Sequence, residues 1–345
     1  MKIAYLVPYL DRSGPVNVVR YLCEALMEEH EIDLYYFKDI VRVDFPVKSR
    51  RISFLEEIDF DSYDVIHSHG VLPDAYVFWH RGSIRKARTI TTLHNYVKED
   101  FKYAYNPVKA FLLAKAWNLA TTRHDVVVTL SRDAVDYYRK FWINKKLTYV
   151  HNGIPGLHGK SSGGTARHKD PDAVNIGLIG SGDITKRKGF DQVIRALVHL
   201  PGYKLSIAGK GQQIADLKRL AESHGVDERI SFIGFQEDIV SFIGEMDLFV
   251  LSSRSEGFSL VLQEVARQKR PVVCSDIAIF RELLPGEETV FFELDDTEGL
   301  VSAIQKVYGE RGKYADRLYR KYIDAYTATI MASNYLAVYK GNFQR

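Results

Sequence analysis

Short β-branched apolar runs alternate along the whole chain with stretches whose apolar residues recur at helical spacing, the pattern of strand–helix units built around a parallel sheet. Two such series are present. The first predicts strands over Lys2 to Val7, Ile32 to Phe37, Val65 to His67, Thr89 to Leu93, Val126 to Leu130 and Leu147 to Val150, with helices such as Val16 to Glu29, Pro107 to Ala120 and Asp133 to Phe141 between them. The second predicts strands over Val174 to Ile179, Lys204 to Ala208, Ile230 to Ile233, Leu248 to Leu251, Val272 to Cys274 and Val290 to Phe292. Between the series, residues 156–172 hold four glycines and no aromatic residue. With almost nothing to bury, they read as a linker. A tyrosine-rich helical stretch from about Tyr314 to Lys340 closes the chain and has two homes open to it, on the second domain or back on the first. The division adopted is 1–155, a linker at 156–172, 173–325, and 326–345 as a final helix returning to the first domain. A length of 345 residues exceeds what one core usually organises, which agrees with two domains.

Composition narrows the class. Hydrophobic content of 46% and charged content of 26% are those of a globular protein, and no apolar run approaches a membrane span. The apolar start, MKIAYLVPYL, is followed by Asp11-Arg12 and not by a small-residue cleavage site, so it reads as a first strand. Cys23 and Cys274 stand far apart and in no metal-ligand spacing, which fits a reducing cytoplasm. The net charge of +3 conceals a local excess: 14 Lys/Arg against 5 Asp/Glu between Arg81 and Lys146, interleaved with aromatic residues. Such a segment suits an anionic partner or an anionic membrane surface; solvated helix faces around an ordinary core would look the same. No nucleic-acid partner is expected.

Candidate chemistry concentrates in SSRSEGFSLVLQEVARQKRPVVCSD, from Ser252 to Asp276. If a helix starts near Phe258 or Ser259, Glu256 stays in the preceding loop and Glu264 lies on the order of 7 Å further along the axis. Between them, Gly257, Phe258, Ser259 and Leu260 would offer backbone N–H groups at the positive end of the helix dipole, a place for phosphate. A carboxylate one turn on can accept hydrogen bonds from vicinal hydroxyls, as on a ribose, and the loop carboxylate can do so for a hexose.

This stretch resembles the retaining glycosyltransferases of family 4, which have the GT-B fold: two Rossmann-like α/β domains with parallel sheets, facing across a cleft. SEGFSLVLQE followed by PVVCSD carries the family's Glu, seven residues, Glu pattern. Ser13-Gly14, His151-Asn152-Gly153-Ile154, Arg187-Lys188-Gly189 and Ala208-Gly209-Lys210-Gly211 fall in the family's order over nearly the whole chain. The resemblance implies transfer of a sugar from a nucleoside-diphosphate sugar, UDP favoured over GDP, to a hydroxyl of a glycan or lipid-linked glycan, without cofactor or metal. It gives Glu264 the ribose, Glu256 the donor sugar, the amides of Phe258 to Leu260 the diphosphate, and Lys188 the charge that accumulates on the leaving group. By the same resemblance His94, in Thr91-Thr92-Leu93-His94-Asn95, would face the donor sugar, and the position of Gly14 suits close approach of backbone to ligand. Where the family places an arginine after the first strand of the second domain, this chain has Gly180-Ser181-Gly182, with Lys186 and Arg187 crowded beside Lys188. Arg187 is the candidate substitute.

Rival readings rest on less. Gly180-Ser181-Gly182-Asp183-Ile184-Thr185 resembles a dinucleotide fingerprint but has Thr185 where the third glycine belongs, and the next strand lacks an acidic residue for a ribose. Asp59-Phe60-Asp61 is an Asp-x-Asp in an acidic loop, and His67 with His69 lacks a third metal ligand nearby. A catalytically silent binding protein on the same fold would carry the same motifs.

Overall fold

A computed structural model describes residues 1–144, 146–157, 169–181, 185, 187–211 and 213–343. It divides into two compact units, Met1–Pro155 with Tyr326–Arg345, and Gly156–Ala325. The glycine-rich core of the proposed linker, together with Gly182, Asp183, Ile184 and Lys186, lies outside the described residues.

In the first unit the chain runs β1 (Lys2–Val7), α1 (Gly14–Leu26), β2 (Glu31–Tyr36), β3 (Lys48–Arg51), β4 (Val65–His69), α2 (Val71–Trp79), β5 (Arg88–Thr92), α3 (Val97–Ala104), α4 (Pro107–Ala120), β6 (Val126–Thr129), α5 (Arg132–Arg139) and β7 (Leu147–Tyr149). All seven strands are parallel, in the order β3-β2-β1-β4-β5-β6-β7. The second unit runs β8 (Val174–Ser181), α6 (Phe190–Leu197), β9 (Tyr203–Lys210), α7 (Ile214–Ser223), β10 (Ile230–Gly234), α8 (Ile239–Glu245), β11 (Leu248–Leu251), α9 (Leu260–Arg267), β12 (Val272–Ser275), α10 (Ala278–Leu283), β13 (Val290–Phe292), α11 (Thr297–Gly309) and α12 (Arg311–Ala325). Its parallel sheet is ordered β10-β9-β8-β11-β12-β13. Both sheets therefore step outward from a central strand and reverse direction once, between β1 and β4 and between β8 and β11. Loops diverge at such a reversal and leave a crevice beyond the carboxyl ends of the strands, where doubly wound sheets bind ligands.

Burial on both faces explains why the strands are apolar runs and not alternating ones. Ile3 to Val7 are inaccessible, and in the second unit Ile176, Leu178, Leu205, Leu248 and Val250 meet Val193, Ile194 and Leu197 of α6 and Leu300 and Ile304 of α11. Three boundaries differ from the sequence reading. Helix α1 begins at Gly14 because Pro15 occupies its first turn, where a missing N–H costs nothing. Strand β4 continues to His69, taking both histidines inside the sheet. The polar strand β3, KSRR, is exposed along its length at the sheet edge, so no apolar pattern announces it.

The closing tyrosine-rich stretch is two helices, α12 and α13 (Ala328–Lys340). The break falls at Thr327, whose side chain caps α13 by accepting from Ile330 N at 3.3 Å. Thr327 pairs with Ile154 and crowds Gly153 so closely that a β-carbon there would sit 2.1 Å from the Thr327 carbonyl oxygen. Helix α13 thus packs in the first unit, where Tyr335 and Tyr339 are buried.

Candidate nucleotide-sugar site

The turn from β11 to α9 carries SSRSEGFS, and its side chains are held by the segment that follows β8. Ser252 Oγ donates to the Lys188 carbonyl at 3.0 Å, Arg254 N to the Arg187 carbonyl at 2.8 Å, and Gln192 Nε2 to the Ser252 carbonyl at 2.9 Å. Gly189 makes this approach possible: it adopts φ +66°, and a β-carbon would lie 2.1 Å from the Ser252 carbonyl oxygen. Strands β8 and β11 are hydrogen-bonded neighbours, so the two loops meet at the sheet's reversal point.

There Lys188 Nζ donates to Glu256 Oε1, Ser253 Oγ donates to the same oxygen at 2.8 Å, and Arg187 Nη1 stands 3.9 Å from Oε2. The Glu256 side chain is 5% exposed and that of Lys188 14%, so the pair is mostly withdrawn from water. With two cations and a hydroxyl around it, the carboxylate is engaged on both oxygens and fixes the aim of the cations. Beyond it, Ser259 caps α9 by accepting from Leu262 N at 3.3 Å. The helix therefore starts one or two residues later than the sequence suggests, with Gly257 and Phe258 in the turn. Glu264 is half-buried, and burial pushes its carboxyl up to about 7, against a smaller downward pull from Arg267.

A buttress missed by sequence reasoning stands behind this loop. Arg254 grips Asp191 with both terminal nitrogens at 3.0 and 3.1 Å, donates to the Thr185 carbonyl and reaches Asp295. Burial raises the Asp191 carboxyl, but its bonds from Arg254 and Arg195 outweigh that and hold it below its ordinary value. The only sequence signal was an arginine inside SSRSEGF, which its distant acidic partners could not explain.

In the first unit His94 and Gly14 fall at the other reversal point. His94 Nε2 lies 2.8 Å from His69 Nδ1, and His67 joins Thr92 and Tyr339 at 2.8 Å each. Burial lowers all three histidines, His94 to about 3, so the row is neutral near pH 7. A cavity of about 250 Å3 opens here, walled by Val7, Pro8, Phe101 and Trp117. Into it face Ser13, His69 and Asn95, each with a buried oxygen or nitrogen that has no hydrogen-bond partner among the described residues. Gly14 begins α1 directly after Ser13 and is exposed. Such a cavity, apolar in its walls with a few convergent polar atoms, suits a hydroxylated ring. Among the described residues no group of three or more His, Cys, Asp or Glu is placed to hold a metal ion.

Known proteins give these two units a common context. The family described as Glycosyltransferase Family 4 matches residues 12–155, and that described as Glycosyl transferases group 1 matches residues 175–324. The O-antigen biosynthesis glycosyltransferase WclY of Escherichia coli is 31% identical over 100% of this chain and 99% of its own. The lipopolysaccharide core biosynthesis glycosyltransferase LpsE of Rhizobium meliloti is 29% identical over 46% of this chain and 48% of its own. Anabaena HepE, solved with UDP and glucose, superposes with a TM-score of 0.79 at 14% identity, covering 99% of each chain. The fold is GT-B, and the chain belongs to the family 4 and group 1 glycosyltransferases.

Proposed function

We propose that the protein transfers a hexose from a nucleoside-diphosphate sugar to a hydroxyl of a growing surface glycan or lipid-linked glycan, with retention of anomeric configuration. The observation that carries this reading is the withdrawn Lys188–Glu256 pair at the β11–α9 turn, with Glu264 half-buried one turn beyond. Lys188, joined by Arg187 in place of the arginine absent after Gly180, neutralises the departing diphosphate. The amides of Gly257 to Leu260 take its oxygens, Glu256 orients the donor sugar and Glu264 the ribose. His94, kept neutral, donates to or accepts from a sugar hydroxyl, and Gly14 lets the chain approach the ligand closely. Neither metal nor cofactor is required. UDP is favoured over GDP, in keeping with the UDP bound by HepE.

The O-antigen assignment of WclY supports a surface-polysaccharide acceptor. Turnover of a panel of UDP- and GDP-sugars, with the anomer of the product read by NMR, tests the reading. Product of inverted configuration overturns retention, and absence of transfer from every donor, with binding intact, favours a silent binding protein.

A second observation supports peripheral contact with an anionic membrane on the cytoplasmic side through 81–146. Helix α4 carries apolar residues on its outer as well as its inner face: Ala110 and Trp117 face inward, while Val108, Phe111, Leu112 and Leu119 recur at helical spacing on the outside and are 53% to 70% exposed. Residues 101–124 contain Lys102, Lys109, Lys115 and Arg123 and no carboxylate. A second copy of the chain would set cation against cation there, whereas acidic lipid complements both the charge and the apolar stripe. Phe111→Asp with Leu112→Asp is expected to leave the unfolding midpoint unchanged and to abolish co-sedimentation with phosphatidylglycerol vesicles. Retained co-sedimentation counts against the contact.

A further inference from the structure

At the opposite edge of the first sheet, beneath the amino ends of β5, β6 and β7, a second cavity of about 450 Å3 is lined by Arg81, Arg85, Lys86, Arg88 and Lys146. Asp125 is the one carboxylate among its lining residues, and it is already engaged. Its Oδ2 accepts from Thr89 N and Thr89 Oγ1 at 2.9 Å each, and its Oδ1 lies 3.6 Å from Arg81.

Two of the cations near this edge have structural employment. Arg81 donates to the carbonyls of Ile84 and Arg123, and Arg123 to that of Phe78, so both satisfy carbonyls at helix ends, where positive charge is favoured. The same explanation does not reach the others. Arg85, Lys86 and Lys146 are exposed, and none of them has an ion pair among the described residues. Arg88 leans on the Phe343 ring at 5.6 Å, and its Nε is buried with no hydrogen-bond partner among the described residues. Convergent like charges repel unless an anion joins them, and a buried guanidinium nitrogen without an acceptor costs free energy.

We propose that this cavity binds a phosphate group carried on a larger molecule. Guanidinium and ammonium donors arriving from several sides suit a tetrahedral anion with many acceptor oxygens. The volume exceeds that of a bare phosphate, which leaves room for the substituent. The source is either a lipid headgroup or a soluble phosphorylated glycan. The site belongs wholly to the first unit, so it stands or falls apart from the donor reading built on Lys188 and Glu256.

The test uses the full chain at constant ionic strength, with inorganic phosphate as probe and thermal unfolding as readout, followed by vesicles of phosphatidylglycerol in phosphatidylcholine. Wild type is compared with Lys86→Ala/Lys146→Ala, whose exposed side chains leave the fold intact, and with Lys188→Ala. Phosphate-dependent stabilisation is expected to survive Lys188→Ala and to need at least about tenfold more phosphate in the double variant, since each ammonium removed takes with it up to one charge-assisted hydrogen bond. If vesicle binding weakens in parallel, the phosphate is a lipid headgroup; if vesicle binding is unchanged, the ligand is soluble. Stabilisation equal in the double variant and wild type, or lost only in Lys188→Ala, overturns the proposal.

Discussion

The Lys188–Glu256 pair sets the terms at the residue scale, because a mostly buried charge depends on its partner. Lys188→Ala strands a carboxylate that retains, among the described residues, Ser253 and the more distant Arg187, and is expected to cost about 3 kcal/mol of stability, the low end for a broken buried pair. Adding Glu256→Gln removes the stranded charge and should restore most of that loss, while transfer stays abolished in both variants. Denaturant unfolding with turnover assays separates the effects; equal destabilisation of single and double variants refutes the pairing argument. Glu264 gives a pH signature. With its carboxyl raised to about 7, it is mostly protonated at pH 6 and mostly ionised at pH 8. On the proposed ribose role, the ionised form is the better acceptor for both hydroxyls, so affinity for UDP-glucose should rise several-fold across that range and flatten in Glu264→Gln. Glu256 and Glu264 stood out because they sit in one contiguous stretch, and Lys188 by its place in the separate Arg187-Lys188-Gly189 motif. Ser253 and Gln192 were not, since their value comes from partners brought together only by β8 and β11 pairing. His69 was weighed only as a metal ligand, although what it touches is His94.

At the scale of elements, apolar runs predicted the buried strands because a strand covered on both faces needs them. The edge strand β3 escaped for the converse reason: Lys48 to Arg51 bury nothing, and only backbone pairing with β2 makes them a strand. Helix limits followed caps and not periodicity, as Pro15, Ser259 and Thr327 illustrate. Gly189 is the joint on which the site's two loops close. Gly189→Ala combines a left-handed backbone with a β-carbon 2.1 Å from the Ser252 carbonyl oxygen and 2.4 Å from Gln192 Nε2. The expected loss is about 2–4 kcal/mol, from strain near 1 kcal/mol plus overpacking of 1–3 kcal/mol. Transfer should fall with it, because Lys188 rides on the displaced segment. A variant as stable and active as wild type contradicts the close approach.

At the scale of the whole molecule, the sequence left the closing helix with two possible homes because its tyrosines name no partner by themselves. In the structure Tyr339 bonds His67 and Tyr5, and Tyr335 bonds Thr92, so α13 helps to bury the histidine row of the first unit. That row makes the two units respond differently to acid. Burial lowers His67 and His69 well below their usual value, His94 to about 3 and His124 to about 4. A folded-state value depressed below that of the unfolded chain gives stability that is present above about pH 6.5 and lost as pH falls toward the folded value. Each such proton steepens the loss by about 1.4 kcal/mol per pH unit. Asp74, raised by burial to about 6, works in the opposite direction over the lower part of that window, but as one group against four. In the second unit Glu264, raised to about 7, gains relative stability on acidification from pH 7 toward 4.5. All three tryptophans, Trp79, Trp117 and Trp142, belong to the first unit, so their fluorescence reports that unit alone. Between pH 7 and pH 5 the midpoint of unfolding followed by tryptophan fluorescence is expected to fall faster than the midpoint followed by far-ultraviolet circular dichroism, which averages both units. Coincident midpoints throughout that range would mean that the buried histidines do not govern the acid response.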